Sequence, residues 1–232
     1  MEIDKTTLND LAVFNTEEEF SIFRYLDFTL TSNGKEQLKR NLLIPLQTIE
    51  SIAGIQQTLG LILVKQKQWP GQISNGSIMV VERFYDAQVD MIPANISATN
   101  AYSYKLLHAP DFSLIKYSVT HCFDFIKGML QMVEIFYGEG CPAPLLKLLE
   151  EVKKITAQEA FNLVRNNKTA KELSLQQTLQ LAHFILYKFK TNMHALLHLH
   201  AQLDAWYGMA MAIQKHNLVF PGFIASEQPF IE

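Results

Sequence analysis

Cysteine is almost absent from this sequence: Cys122 and Cys141 stand far apart, with no CxxC pair. That excludes a disulfide framework and a zinc ribbon, and fits two reduced thiols. Glycine and proline are also few, and they fall at breaks between long, helically periodic stretches. There is no low-complexity tract and no repeat at a fixed period of 20 to 50 residues, which argues against a helical solenoid. Long apolar runs are missing too: the stretches around Ile78 and Val119 are too short and too polar to span a bilayer. The opening MEIDKTTLND lacks the basic start and apolar run of a secretory signal. A cytoplasmic location is the expectation. Nor is there an excess of cations: the formal charge is −3. A slightly acidic average argues against strong autonomous binding of nucleic acid and makes any such contact local.

What is present suffices for a core. At 232 residues, 48% of them hydrophobic, the chain forms one large domain or two small ones without staples. The pattern reads as an all-α, elongated bundle. Leu11 to Phe14 is a short strand candidate, Glu17 to Tyr25 a small helix, and Thr31 to Gly34 a turn into a helix that begins at Lys35 and stops before Pro45. Thr48 to Lys67 forms the next helix, with a hydroxyl N-cap at Thr48 but Ser51 in place of the acid of a full capping box, and Trp69-Pro70-Gly71 ends it. Two shorter helices follow over 74–108, broken near Pro93, and Pro110-Asp111 opens a long apolar helix to about Tyr137.

Beyond the loop at Gly138 to Pro142, the apolar steps Leu145, Leu148, Leu149, Val152 and Ile155 predict an amphipathic helix that fades at Arg165 to Lys168. Thr169 and Glu172 have capping-box spacing. With no proline before Pro221, the helix they open is expected to run unbroken for about 45 residues, or about 65 to 70 Å. Its apolar seam runs through Leu175, Leu179, Leu186, Met193, Leu196 and Leu203.

No constellation carries chemistry. His194 and His198 lie one turn apart, but HExxH is absent and His200 points about 200° away from His198. With Asp204 nearby, they read as helix histidines, not as a metal or proton-transfer site. Gly71 to Ile78 is superficially similar to GxxxxGK[ST], yet Ser77 stands where the lysine must be. Glu17 to Glu19 and Glu150-Glu151 are solvated faces, and Cys122 beside His121 lacks the pairing a thiolate nucleophile needs. Trp206, Tyr207, Met209 and Met211 fill core space. No catalytic, metal or cofactor-binding residue is expected. Two basic sets remain as candidates for phosphate contact: Lys35, Lys39 and Arg40 on one helix, and Arg165, Lys168 and Lys171 at the turn before the last helical stretch.

One stretch carries a family pattern. Leu26-Asp27, Thr29, Thr31, Gly34, Leu38-Lys39-Arg40 and Pro45-Leu46, followed by Ile52, Gln56 and Leu59, resemble the start of the MutS core domain in order and spacing. Leu203-Asp204, a long amphipathic run, Asn217 and Phe220-Pro221 resemble its close, so the two anchors bracket nearly the whole chain. The resemblance implies a core and lever domain over 1–232, with 1–110 the N-terminal helical core and 111–232 the long antiparallel lever helices. It implies a parent that is a homodimeric DNA mismatch repair or recombination ATPase, whose ATP and Mg2+ belong to a domain beyond Glu232, with DNA as partner and no catalysis in this chain. The pattern is departed from at Ile55, where arginine is usual, and at Asn41, where tryptophan is common. Only a few residues, 165–171, stand where related proteins insert a clamp, and Met1 lies just ahead of the core motif. Mismatch-reading, connector and clamp domains are therefore expected to be missing. The alternative is a helical protein-interaction module with no DNA role, and a third reading, an enzyme built on the histidines, has less behind it.

Overall fold

Most helices start where a hydroxyl can reach the amide three residues ahead. A computed structural model describes residues 11–14 and 21–223 of the chain. In it Ser21, Thr31, Thr48, Ser74 and Ser97 accept such bonds and open α1 (Ile22–Leu26), α2 (Ser32–Leu43), α3 (Ile49–Lys65), α4 (Asn75–Phe84) and α5 (Ala98–Leu107). The next two helices, α6 (Ala109–Phe136) and α7 (Ala143–Thr156), carry Pro110 and Pro144 in their first turns, where a missing N–H costs nothing. The short α8 (Asn162–Asn166) follows, then α9 (Leu175–Lys188), opened by Ser174, and α10 (Lys190–His216). The fold is all-α, with no strand among the described residues.

The buried residues of α6 form a wide face, opposite a polar stripe of Lys116, Thr120, Asp124, Lys127 and Glu134, and that width makes α6 central. Phe123, Phe125, Ile126, Met129 and Met132 are fully buried, each stabilising the fold by about 1.5 to 3 kcal/mol. The neighbours α4, α5, α7, α8 and α9 pack on α6, while α10 packs on α1, α2, α3 and α7. One apolar core runs from Leu59 to Ala210, so residues on both sides of position 110 share it. A small satellite core of Phe23, Leu38 and Ala205, with Phe14, Leu42 and Met209 against it, joins α1 and α2 to α10.

Several expectations change. Leu11 to Phe14 is a turn and bend, not a strand: Ala12 has a positive φ, and the Ala12 and Val13 carbonyls accept from the Ile22 and Phe23 amides. The first small helix begins at Ile22, and positions 15–20, with Glu17 to Glu19, lie outside the described residues. Ser32 to Gly34 already belong to α2, because Thr31 caps it. Ser51 completes the box at Thr48, its hydroxyl accepting from the Thr48 amide as a carboxylate would. The helix from Ala143 ends at Thr156, and a 3-10 turn at Glu159–Phe161 and α8 continue the chain. Thr169 makes no side-chain cap; the Glu172 carboxylate accepts from the Lys168 amide, and the capping box is made by Ser174 with Gln177.

The largest correction is at Phe189. The expected 45-residue helix is two helices, separated by this single non-helical residue (φ −119°, ψ 4°). No proline or glycine signals it. Phe184 and Phe189 both pack on the Phe161 ring, at 5.4 and 4.7 Å between centroids. Five residues apart, they would point about 140° from each other on a straight helix, so packing both rings into one cluster bends the chain out of helical geometry.

Candidate functional site

The two ends of the chain that carry the family pattern meet at one buried junction. Asp204, on α10 and wholly buried, accepts from the Leu30 amide (2.9 Å), the Thr31 amide (2.9 Å) and the Thr31 hydroxyl (2.6 Å). The same Thr31 oxygen accepts from the Gly34 amide at 3.1 Å. A carboxylate thus reaches the N-terminus of α2 through its capping threonine, where the helix dipole favours negative charge. Burial pushes the Asp204 carboxyl above its ordinary value, against the bonds from Leu30 and Thr31 that favour the ion. Beside it, burial also disfavours the Asp27 carboxylate, but the ion pair with Lys35 at 2.8 Å and the Thr29 hydroxyl at 2.6 Å outweigh it and hold Asp27 below the usual range.

Two glycines make the close approach possible. A Cβ at Gly34 would overlap the Asp204 carboxylate, whose carbon stands 2.5 Å away, and a Cβ at Gly208 would meet the Thr29 amide nitrogen at 2.9 Å. Leu26-Asp27, Thr29, Thr31, Gly34 and Asp204 are therefore one structural unit, a joint between α2 and α10. Asp204 and Thr31 are sealed from solvent within this joint.

The basic candidates fall into two separate sets. Lys35 pairs with Asp27 and Lys39 with Glu36 (2.7 Å), and both ammonium groups lie near the Phe23 ring. Arg40 is exposed and lines a groove of about 460 Å³ with Asn33, Glu36, Glu82, His194 and His198. The structure thus brings one basic candidate to the two exposed histidines, with carboxylates of opposite sign around them. In the other set, the Arg165 guanidinium donates to the Thr156 and Gln158 carbonyls and to Asn162, so it closes the C-terminus of α7. Lys168 and Lys171 are exposed and carry no ion pair among the described residues. Lys127, not singled out by sequence, donates to the Val164, Arg165 and Asn167 carbonyls and ties this turn to α6. Nothing in its sequence neighbourhood sets it apart from Lys116 on the same helix.

The remaining candidates separate cleanly. His200 is buried, its ring edge-on to Phe125 at 5.8 Å, and its Nδ1 has no hydrogen-bond partner; burial lowers its pKa to about 4. Cys122 is buried and its thiol is pushed up by desolvation, the opposite of an activated nucleophile. Ser74 and Ser77 cap α4 reciprocally, and Gly76 lies within that helix, which accounts for the Gly71 to Ile78 segment without a phosphate. Trp206 is buried and Tyr207 packs on Trp69, as core residues do. No helix among the described residues is long and apolar enough to cross a membrane. Comparison of the chain with protein-family models, with curated proteins and with solved structures finds no match.

Proposed function

We propose that the chain is the helical core and lever segment of a MutS-like DNA repair or recombination ATPase, linking DNA at one end to an ATPase domain outside this chain. The observation that supports the reading best is the junction itself. Thr31 and Gly34 come from the N-terminal anchor of the resemblance and Asp204 from the C-terminal one, and they meet in one hydrogen-bonded cap, with Asp27 bonded to Thr29 just ahead of it. Residues scattered by chance similarity have no reason to converge. On this reading α10 is the lever, and Asp204 transmits its displacement to α2. The parent acts as a homodimer, with ATP and Mg2+ bound by the domain that follows. Phosphate contact falls to Lys168, Lys171 and Arg40, since Arg165 is engaged with carbonyls and Lys35 and Lys39 with carboxylates.

Two measurements test this. The coding sequence past residue 232 is expected to contain GxxxxGK[ST]; a continuation without it overturns the reading. Fluorescence anisotropy with duplex DNA at low salt is expected to show weak, sequence-independent binding that salt removes, and changing Arg40, Lys168 and Lys171 together to methionine weakens it. Absence of binding to any duplex removes the DNA role and leaves the helical interaction module. That second reading draws on exposed Tyr102, Leu106 and Leu107 along α5.

A further inference from the structure

Asp90, His108 and Asp111 come from three different places: the segment after α4, the link between α5 and α6, and the first turn of α6. Their ligand atoms all lie within 4.8 Å of one another. His108 Nδ1 stands 2.5 Å from Asp90 Oδ2, and the Asp90 amide donates to Asp111 Oδ2 at 2.9 Å. The Tyr104 hydroxyl holds the Asp90 carbonyl at 2.7 Å, so the backbone of Asp90 is fixed on both sides before any ligand arrives.

We propose that these three side chains form a binding site for one first-row divalent transition ion of the zinc type, outside any site the family resemblance implies. At 2.5 Å the His108 ring and the Asp90 carboxylate are joined by a hydrogen bond, which places an imidazole beside two carboxylates, a donor set suited to zinc-like ions. Neither carboxylate is paired with a lysine or arginine among the described residues. The side chain of Asp90 is 64% exposed and that of His108 36%, so an ion has a path in and water completes its coordination. An ion there takes the place of the hydrogen-bonding proton, which is released to water, and the exposed His108 and Asp90 side chains move apart by about 0.8 Å to reach bond lengths of about 2 Å. The site clamps the segment between α4 and α5 onto the start of α6. Sequence did not reveal it because Asp90 lies 18 residues before His108, and nothing local brings it to the His108 and Asp111 pair at the start of α6.

The test uses the 232-residue chain, stripped with chelator and titrated with Zn2+ by calorimetry, with Co2+ as a spectroscopic probe. One ion per chain is expected, with visible Co2+ absorption bands and a rise in Tm on Zn2+ addition. His108→Ala and Asp111→Asn each weaken binding at least about tenfold and abolish the Tm rise. The conservative Asp111→Asn keeps an acceptor for the Asp90 amide, so a folding defect in His108→Ala does not obscure the result. His194→Ala with His198→Ala leaves binding unchanged. Failure of the parent chain to bind a stoichiometric ion overturns the proposal, and so does equal binding by parent and His108→Ala chains. Neither outcome bears on the DNA reading, which the anisotropy measurement tests separately.

Discussion

Replacing His200 with leucine isolates one buried titration. The imidazole is about fully buried, has no partner for Nδ1, and titrates at about 4 instead of its ordinary 6.5 because burial disfavours the cation. The folded pKa lies below the unfolded one. As the pH falls from 6.5 to about 4, the unfolded chain takes up a proton here that the folded chain refuses, and stability is lost through that window. Each tenfold change in proton affinity is worth about 1.4 kcal/mol, so the full loss is about 3 kcal/mol, complete only below pH 4. The assay is urea denaturation of the parent and His200→Leu chains at about pH 7.5 and about pH 4.5, with equal m-values. Every other titrating group is common to both proteins and cancels in the difference. Near neutral pH the two should lie within about 1.5 kcal/mol, since leucine is close in volume and removes an unpaired polar atom. At the acid end the variant gains about 2 to 3 kcal/mol on the parent. A difference that stays constant with pH refutes the assignment of a buried, neutral His200.

Two further predictions concern packing and capping. Gly34→Ala and Gly208→Ala each destabilise by about 1 to 3 kcal/mol through overpacking of the joint, whereas Gly60→Ala, facing open space within α3, stabilises by about 0.5 to 1 kcal/mol. Urea midpoints that move in the same direction at Gly34 and Gly60 defeat the joint. Lys127→Met strips the donor from the Val164, Arg165 and Asn167 carbonyls and should destabilise by about 1 to 3 kcal/mol. Amide exchange should quicken at 162–167 and not in α2. Lys168→Met, at an exposed head, serves as the neutral comparison.

The helices were legible where local chemistry decides them. Pro110, the Gly138 to Pro142 loop and the apolar steps from Leu145 each mark an end or a face that the structure keeps. Sequence failed where a distant contact decides. Nothing local at Phe189 says that Phe161 will draw it out of a helix already occupied by Phe184. Similarly, Thr169 and Glu172 have the right spacing for a box, but the stronger Ser174 and Gln177 pair sits five residues on, and Glu172 turns to the Lys168 amide. The junction was half visible: Thr31, Gly34 and Asp204 were each singled out in sequence, but nothing local says that Asp204 bonds to a threonine more than 170 residues away.

Two contacts hold α10 in different ways, one near its middle and one at its start. At Asp204 the helix is held to α2 by three short, directional hydrogen bonds to one carboxylate, and Gly34 and Gly208 leave no room for the helices to slide. Any displacement of α10 must carry α2 with it or break a buried ionic cap. At Phe189 the link to α9 is one residue with non-helical dihedrals, held by ring packing among Phe161, Phe184 and Phe189. Edge-to-face ring contacts are weaker than hydrogen bonds to a carboxylate and constrain the link less. On the lever reading, coupling therefore runs along α10 into α2 and not through the full length once expected of a single helix.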